Sequence, residues 1–365
     1  MKLQSYIFKQ LVVSLAMAVA GILFVALPGI AVSTVHRMPN ADGGILLRYL
    51  PLVLKTLAPH ALPICFILAV VATYGRLAAD REWTAILMAG VHPWKMLLPG
   101  VAVAGMLGGF TYWMVSVDMP SSKMEQRQLL RDATNSSLRN LQPGRTTLEF
   151  NGFFLKTRDR DREDPNILYD VLIRDLDDDG QSRAIYADKV HIRTEGDWLK
   201  VDLYGYRVEF FGFQANSKYV PAPAEGEWLS LRHRISSLLG QDGKIESKIK
   251  YLKSKEIRDQ LSAGFDNPAH EGALQFELHY RMSMALIFFV FLGIGAPTGL
   301  LMRRGTQLGA LAISICFGLI YYLLAVRLGR EMGRSGVVAP WVGAWSVPLL
   351  GSAISVYLLR KIRLR

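Results

Sequence analysis

The chain has 365 residues, of which 51% are hydrophobic and 20% charged, and it carries a net charge of +11. Nucleic-acid-binding proteins are often this basic. Here, however, much of the positive charge flanks long apolar stretches, where headgroup attraction and orientation during membrane insertion account for it. The composition therefore argues against a nucleic-acid partner and for a protein embedded in a membrane.

Six apolar stretches lie in two groups of three, separated by a charged insert of about 150 residues. Each holds about 20 or more residues without Asp, Glu, Lys or Arg, enough for a helix to cross a hydrocarbon core about 30 Å thick. A helix in a soluble core rarely stays apolar for so long, so the pattern predicts six transmembrane helices. The stretches are residues 11–35, 56–75, 96–117, 282–302, 305–326 and 337–359.

The basic residues beside these stretches predict the orientation. If the six helices alternate in direction, the flanks of one face are rich in Lys and Arg, and the positive-inside rule assigns that face to the cytoplasm. Both termini are then cytoplasmic, and the insert lies outside. The basic residues on this face are Lys2, Lys9, Arg76, Arg81, Lys95, Arg303, Arg304, Arg360, Lys361, Arg363 and Arg365.

The first stretch also carries small residues, near Ala31 and Ser33, of the kind found where a secretory signal is cleaved. Its apolar run is longer than the core of a signal peptide. We therefore expect it to remain in the protein as a membrane anchor.

The cytoplasmic loop between the second and third stretches predicts a short helix. Asp80 is placed to cap a helix from Arg81 to Ala89, which would end at Gly90 because Pro93 prevents its continuation. Two interpretations fit this segment, an ordinary helix on the membrane surface or a contact element for a cytoplasmic partner. At helical spacing one face carries Glu82, Ile86 and Ala89.

The insert predicts an antiparallel β-domain of the sandwich or jelly-roll type. Short runs of alternating apolar and polar residues follow one another between polar or glycine-containing turns, a spacing typical of such folds. We expect residues 1–120 to hold the first three transmembrane helices, 121–272 the external domain with helical connectors, and 273–365 the last three helices. The strand-like runs begin at Thr147, Phe153, Ile167, Ala184, Val190, Trp198 and Tyr206.

Sequence motifs of catalysis are absent from the chain, which has no phosphate-binding loop, nucleophile elbow, HExxH pair or zinc-spaced cysteines. Asp175, Asp177, Asp179 and Gly180 match the first half of a calcium loop, but Tyr186 stands where that loop needs a glutamate, which favours a plain acidic turn. The predicted helices also lack the carboxylates that commonly bind a coupling ion. We expect a transport subunit with no cofactor of its own, and any ATP hydrolysis in a separate subunit.

A second group of basic residues lies on the predicted outer side, against the orientation rule. Such side chains either extend to headgroups from the helix ends or gather around the phosphates and acidic sugars of a lipid, since arginine pairs bidentately with phosphate. Both interpretations stay open. The residues are Arg37, Arg48, Lys55, Arg327, Arg330 and Arg334.

Several segments follow the pattern of one family of membrane permeases. Residues 76–90, RLAADREWTAILMAG, are similar to the family pattern gRL..dsE..a...aG, and other fragments include YIFKQ at 6–10, His279 and Arg281, and Pro340 with Trp345. In order and spacing these segments resemble the lipopolysaccharide-export permeases of the LptF/LptG type over nearly the whole chain. Leu349 stands where that family usually has asparagine after a proline, which bears on the packing of the sixth helix.

That resemblance implies a permease subunit of an ATP-driven lipopolysaccharide exporter in the bacterial inner membrane. Residues 80–90 would form the coupling helix that docks on a dimeric cytoplasmic ATPase, which uses the ATP and Mg²⁺. With a second related permease, the first and fifth helices would gate the lipid near Arg37 and Arg327, and a periplasmic jelly-roll bridge protein would receive it. In the coupling helix the resemblance assigns polar contacts to Asp80, Arg81 and Glu82 and close approach to Ala85, Ala89 and Gly90.

Two other classes of function remain open from the sequence. A secondary carrier of lipid or solute would depend on an ion gradient and would need no ATPase. A non-transporting membrane scaffold would use its external domain to dock partners. Co-purification of a nucleotide-binding subunit separates the permease from both.

Overall fold

The computed structural model describes residues 2–37, 43–139, 147–150, 153–161, 164, 166–176, 182–195, 198–211, 224–234, 249–264, 268–301, 307–329, 333 and 338–363. The chain forms two compact units. One contains Met1–Gly29, Val53–Met124 and Lys248–Arg365, and the other Ile30–Leu52 and Glu125–Ser247. The division into residues 1–120, 121–272 and 273–365 stays a prediction.

The apolar stretches fold as long helices, because in lipid every backbone N–H and C=O must find a partner within its own segment. Two π-helical turns, Met114–Asp118 and Leu323–Gly329, continue the helices that end at Trp113 and Tyr322. In chain order the helices are α1 (Lys2–Arg37), α2 (Gly43–Ala79), α3 (Glu82–Met88), α4 (Pro93–Trp113), α5 (Met119–Arg139), α6 (Ser254–Ala263), α7 (Pro268–Leu301), α8 (Gln307–Tyr322) and α9 (Pro340–Arg363).

Five helical stretches of the described chain are long and apolar enough to cross a membrane, and they coincide with five of the six predicted spans. The remaining prediction, residues 305–326, falls on α8, whose apolar part Ser314–Ala325 is shorter than the others. Residues 302–306 lie outside the described chain. A multi-pass membrane protein is therefore confirmed, while the sixth span stays a prediction. The five stretches are Lys2–Thr34, Gly43–Ala79, Pro93–Leu130, His270–Leu301 and Pro340–Arg360.

Helix α7 lies at the centre of the helical unit. In its most apolar part 61% of the residues are buried, whereas the corresponding share in α1 is 11%. Glycines allow other helices to approach closely. A Cβ added to Gly299 would lie 2.9 Å from the carbonyl oxygen of Val71, and one added to Gly108 would lie 2.6 Å from that of Ala285. Helix association in lipid depends on such packing, so α2 and α4 are held firmly against α7, whereas most of the apolar stretch of α1 is exposed.

A buried arginine joins α7 to the start of α6 and is paired with a glutamate of its own helix. Arg281 is 2% exposed, and its Nε donates a hydrogen bond to Glu277 Oε1 at 3.3 Å. Its two terminal nitrogens donate to Ser254 Oγ and to the Leu252 carbonyl oxygen, each at 2.9 Å. Because each partner compensates the other, loss of either would leave a charge buried without its counter-ion.

The second unit contains one antiparallel sheet of six described strands, ordered along the chain as a meander. Leu155, Ile173, Ile185 and Val208 stand opposite one another on successive strands and are buried, so they form one row of the sheet's core. The strands are β1 (Thr147–Phe150), β2 (Phe153–Arg160), β3 (Ile167–Leu176), β4 (Ser182–Glu195), β5 (Trp198–Phe211) and β6 (Ala224–Arg234).

The predicted antiparallel β-domain is confirmed, but its details differ from the sequence interpretation. The runs beginning at Ala184 and Val190 form one strand, as do those at Trp198 and Tyr206, because long strands continue through the polar residues between the runs. Strand β6 was not predicted. The described strands show a simple meander and not the crossed connections of a jelly roll, which stays a prediction. The acidic turn Asp177–Gly180 lies outside the described residues.

Candidate functional site

The loop between α2 and α4 contains the helix that the sequence predicted there. A sharp turn separates α2 from α3, because Arg81 adopts the left-handed conformation with φ 60° and ψ 7°. The backbone N–H of Asp80 donates to the Arg76 carbonyl oxygen at 2.9 Å, and that of Ala85 donates to the Arg81 carbonyl oxygen at 3.1 Å. A non-glycine residue in this conformation costs free energy, so surrounding contacts must hold the turn.

The predicted cap of this helix was wrong. Arg81, and not Asp80, occupies the capping position, and its side chain makes no capping hydrogen bond. Asp80 is exposed within the turn. Its type favours a cap, but the left-handed turn shifts the start of the helix by one residue, to Glu82. Because the carboxylate of Asp80 is not used as a cap, it is free to face the solvent.

The end of the helix is as predicted. Gly90 has φ +76°, a conformation that glycine adopts readily. The N–H of Gly90 donates to the Leu87 carbonyl oxygen at 2.9 Å, and that of Val91 donates to the Ile86 carbonyl oxygen at 3.3 Å, the bonding pattern of a Schellman motif. Next, His92 Nδ1 accepts a hydrogen bond from the Trp94 backbone N–H at 3.3 Å and so caps α4. Helix α3 is thus a short body closed at its carboxyl end.

The inner side of α3 is anchored by an indole. Trp83 is 8% exposed and meets the Tyr74 ring edge-to-face at 6.4 Å between centroids. The Tyr74 hydroxyl donates to the Met96 carbonyl oxygen at 3.0 Å, which ties α2 to α4 beneath the helix. An apolar cavity of about 30 Å³ beside Trp83 also reaches Pro297 and Leu300 of α7. Trp83 therefore packs against α2 and shares the lining of a cavity with α4 and α7.

The outer side of α3 exposes apolar side chains to the solvent. Met88 is 85% exposed and Leu87 is 37% exposed. Both residues lie between the apolar stretches of α2 and α4 and belong to neither. Ala85 and Ala89 are also exposed and are too small to screen them. An exposed methionine beside small residues suits insertion into a groove of another protein. The sequence analysis missed Met88, although an apolar residue next to the helix-ending glycine was the available signal.

Glu82 faces the protein and not only the solvent. The Tyr6 hydroxyl, at the start of α1, donates to Glu82 Oε1 at 3.1 Å and lies 3.2 Å from Oε2. Of the predicted coupling residues, the structure therefore brings Glu82 onto α1 and leaves Asp80, Arg81, Ala85, Ala89 and Gly90 exposed.

A large apolar groove, about 630 Å³ in volume, runs along α1. One face of α1 lines it from Ser14 to Ala26, a length of about 18 Å at 1.5 Å per residue. Leu68 and Ala72 of α2 and Ile315 of α8 complete its walls. The groove therefore lies between the first, second and fifth predicted spans and suits an apolar chain about as long as one membrane leaflet is thick.

A buried hydrogen bond joins α1 to α2 at one end of this groove. The Thr73 hydroxyl of α2 donates to Ser14 Oγ of α1 at 3.1 Å, and both residues are buried. Because both hydroxyls are buried among apolar side chains, the bond gives each of them a hydrogen-bonding partner. The bond fixes α1 beside α2 at one end of the groove.

The predicted basic residues of the outer side are not shown to converge. Arg48 is exposed on α2, and Lys55 Nζ lies 3.5 Å from Asp118 Oδ1, so its charge already has a partner. The side chains of Arg37 and Arg327 and the whole of Arg330 lie outside the described chain. A lipid-binding role for these five residues stays a prediction. Among the described residues no group of three His, Cys, Asp or Glu side chains is placed to hold a metal.

Comparison with known proteins finds one family. The family described as lipopolysaccharide export system permease LptF/LptG matches residues 5–361. A search of curated proteins finds no match to the chain.

Proposed function

Because this chain belongs to the lipopolysaccharide export permeases of the LptF/LptG family, we propose that it carries lipopolysaccharide out of the bacterial inner membrane as one subunit of an ATP-driven exporter. The family is a transport subunit of an exporter complex and not an enzyme. The partners in this proposal are a dimeric cytoplasmic ATPase, a second related permease and a periplasmic jelly-roll bridge protein. Both termini face the cytoplasm, and the β-domain faces the periplasm.

The groove along α1 is the observation that carries this proposal. Its walls are apolar, its volume is about 630 Å³, and it opens beside a helix whose apolar surface is mostly exposed. A lipid acyl chain gains free energy in such a groove only if the groove closes around it, because the surrounding bilayer is equally apolar. Movement of α1 is therefore the step that transport requires, and α1 is the least buried of the five apolar stretches of the described chain.

The exposed outer side of α3 supplies the contact for the ATPase. An ATPase that closes on nucleotide can move the membrane helices only through a rigid element that it holds. Helix α3 is such an element, since Trp83 anchors its inner side and Met88 is free to insert into a partner. We assign Asp80 and Arg81 to polar contacts with the ATPase and Ala85, Ala89 and Gly90 to close approach.

A photocrosslinking experiment tests the groove. A photoreactive amino acid in place of Val25, which lines the groove and is 77% exposed, should crosslink to lipopolysaccharide in membranes. The same reagent at Val356 of α9, 49% exposed but away from the groove, should give a much weaker lipopolysaccharide band because only bulk lipid reaches it. ATP hydrolysis should empty the groove and so weaken the crosslinked lipopolysaccharide band at Val25. Equal bands at both positions would remove the groove from the transport route.

A further inference from the structure

We propose that Tyr6 is a positioning residue that couples movement of α3 to movement of α1, and so to the wall of the groove. This inference rests on the proposed function, because it names the route by which a push from the ATPase reaches the lipid. The residues concerned are Tyr6 at the start of α1 and Glu82 at the start of α3.

The contact joins two elements that are distant in sequence. The Tyr6 hydroxyl lies 3.1 Å and 3.2 Å from the two carboxylate oxygens of Glu82, so it can donate its hydrogen bond to either of them. A hydroxyl donating to a carboxylate forms a charge-assisted hydrogen bond, which is stronger than one between neutral groups. The carboxylate of Glu82 therefore holds the end of α1 directly.

Helix α3 is built to move as one piece. It has seven residues, its inner side is fixed by the buried Trp83, and a Schellman motif closes its end. Glu82 lies on the first helical residue, next to the left-handed turn at Arg81. A displacement of α3 therefore moves the Glu82 carboxylate with it instead of being absorbed within the helix.

Helix α1 is built to follow. Within the described chain, two side-chain hydrogen bonds join it to other elements, one from Tyr6 to Glu82 and one between Ser14 and Thr73. The groove begins at Ser14, about 12 Å beyond Tyr6 at 1.5 Å per residue. Ile7 and Leu11 beside Tyr6 are fully buried in the core of the helical unit, whereas little of the apolar stretch of α1 beyond them is buried. A pull at Tyr6 therefore acts on the packed end of α1 and tilts the exposed part of the helix about its contact at Thr73.

Tyr6→Phe removes the hydroxyl and keeps the ring, so it tests this route with little change in packing. In the purified complex with its ATPase, we expect the lipopolysaccharide released per ATP hydrolysed to fall about tenfold, the size of effect expected for loss of a charge-assisted hydrogen bond. The ATPase rate, the amount of complex and the melting temperature should stay close to wild type. Tyr357→Phe on α9, where Tyr357 is 66% exposed, is the matched control and should change nothing.

A double-mutant cycle and hydrogen exchange distinguish coupling through the bond between Tyr6 and Glu82 from a merely stabilising effect of Tyr6 on the fold. If the bond carries the coupling, Glu82→Gln should lower the release ratio less in the Tyr6→Phe background than in wild type. In the chain without its ATPase, Tyr6→Phe should also speed amide exchange of residues 81–90, because the helix loses one of its attachments.

The outcomes distinguish this inference from the proposed function. Wild-type coupling in Tyr6→Phe, with unchanged exchange at residues 81–90, would overturn the inference and leave the permease role intact. The proposed function would be overturned if the wild-type protein neither bound an ATPase nor released lipid. Faster exchange in Tyr6→Phe would still show, in that case, that the hydrogen bond between Tyr6 and Glu82 attaches α3 to α1.

Discussion

Replacing Met88 by aspartate should separate the chain from its cytoplasmic ATPase while the membrane fold persists. Met88 is 85% exposed, so its replacement removes almost no internal packing. In a docked complex, however, the side chain would be buried in an apolar groove, where loss of one anchor typically costs about 2 kcal/mol, or about 30-fold in affinity. A buried carboxylate without a partner costs more. We expect the ATPase to be lost during purification and ATP-dependent release to stop.

Met124→Asp is the matched control for that prediction. Met124 lies on α5, is 50% exposed, and would face away from the ATPase in the proposed orientation. This variant should retain the ATPase at the wild-type ratio. If Met88→Asp also retains it, the outer side of α3 is not the docking surface.

Replacing Gly21 by tryptophan should block transport without disturbing assembly. Gly21 lines the groove, and a Cβ there would meet nothing within 4 Å, so a side chain at this position starts in open space and can extend into the volume that an acyl chain would occupy. Excluding the acyl chain from the groove should lower lipid release about tenfold or more, by analogy with the 1–3 kcal/mol cost of overpacking a site. ATP hydrolysis should continue, because the docking surface is unchanged. Release assays with the purified complex measure both quantities.

The control for this substitution is Gly109→Trp. Gly109 is also a helix glycine with nothing within 4 Å of an added Cβ, but it lies on α4 and does not line the groove. Both variants place a large aromatic side chain in a membrane helix. Equal loss of release in the two would show that bulk, and not occupation of the groove, causes the defect.

The parts of the fold that depend on composition were predictable from the sequence. A run of residues without charge must form helix in lipid, so five spans were located from residue types alone. The short helix before Gly90 was predictable because glycine and Pro93 mark its end. Alternating residues likewise located most strands, although β4 and β5 continue across polar positions that were expected to be turns.

The parts of the candidate site that depend on tertiary contacts were not predictable. Nothing in the residues near Glu82 indicates that its carboxylate meets Tyr6, because the two are 76 residues apart. The left-handed conformation of Arg81 also has no local signal, since arginine rarely adopts it. The groove depends on how α1 is rotated against α2 and α8, which apolar composition alone does not specify. The pairing of Lys55 with Asp118 is a third contact of this kind.

The alternative functions differ from the permease in what they require of these features. A secondary carrier would keep its activity in Met88→Asp, because it uses no ATPase. A membrane scaffold would tolerate Gly21→Trp, because it has no use for an open groove. The two substitutions together therefore assign the chain to one class.

Release of lipopolysaccharide from proteoliposomes tests the central claim most directly. The chain would be reconstituted with the partners that co-purify with it, and lipid captured by the periplasmic bridge protein would be measured with and without ATP. We predict release that requires ATP hydrolysis, stops when the ATPase is omitted and is unaffected by collapsing ion gradients. Release that continues without the ATPase, or that follows an ion gradient, would contradict this account.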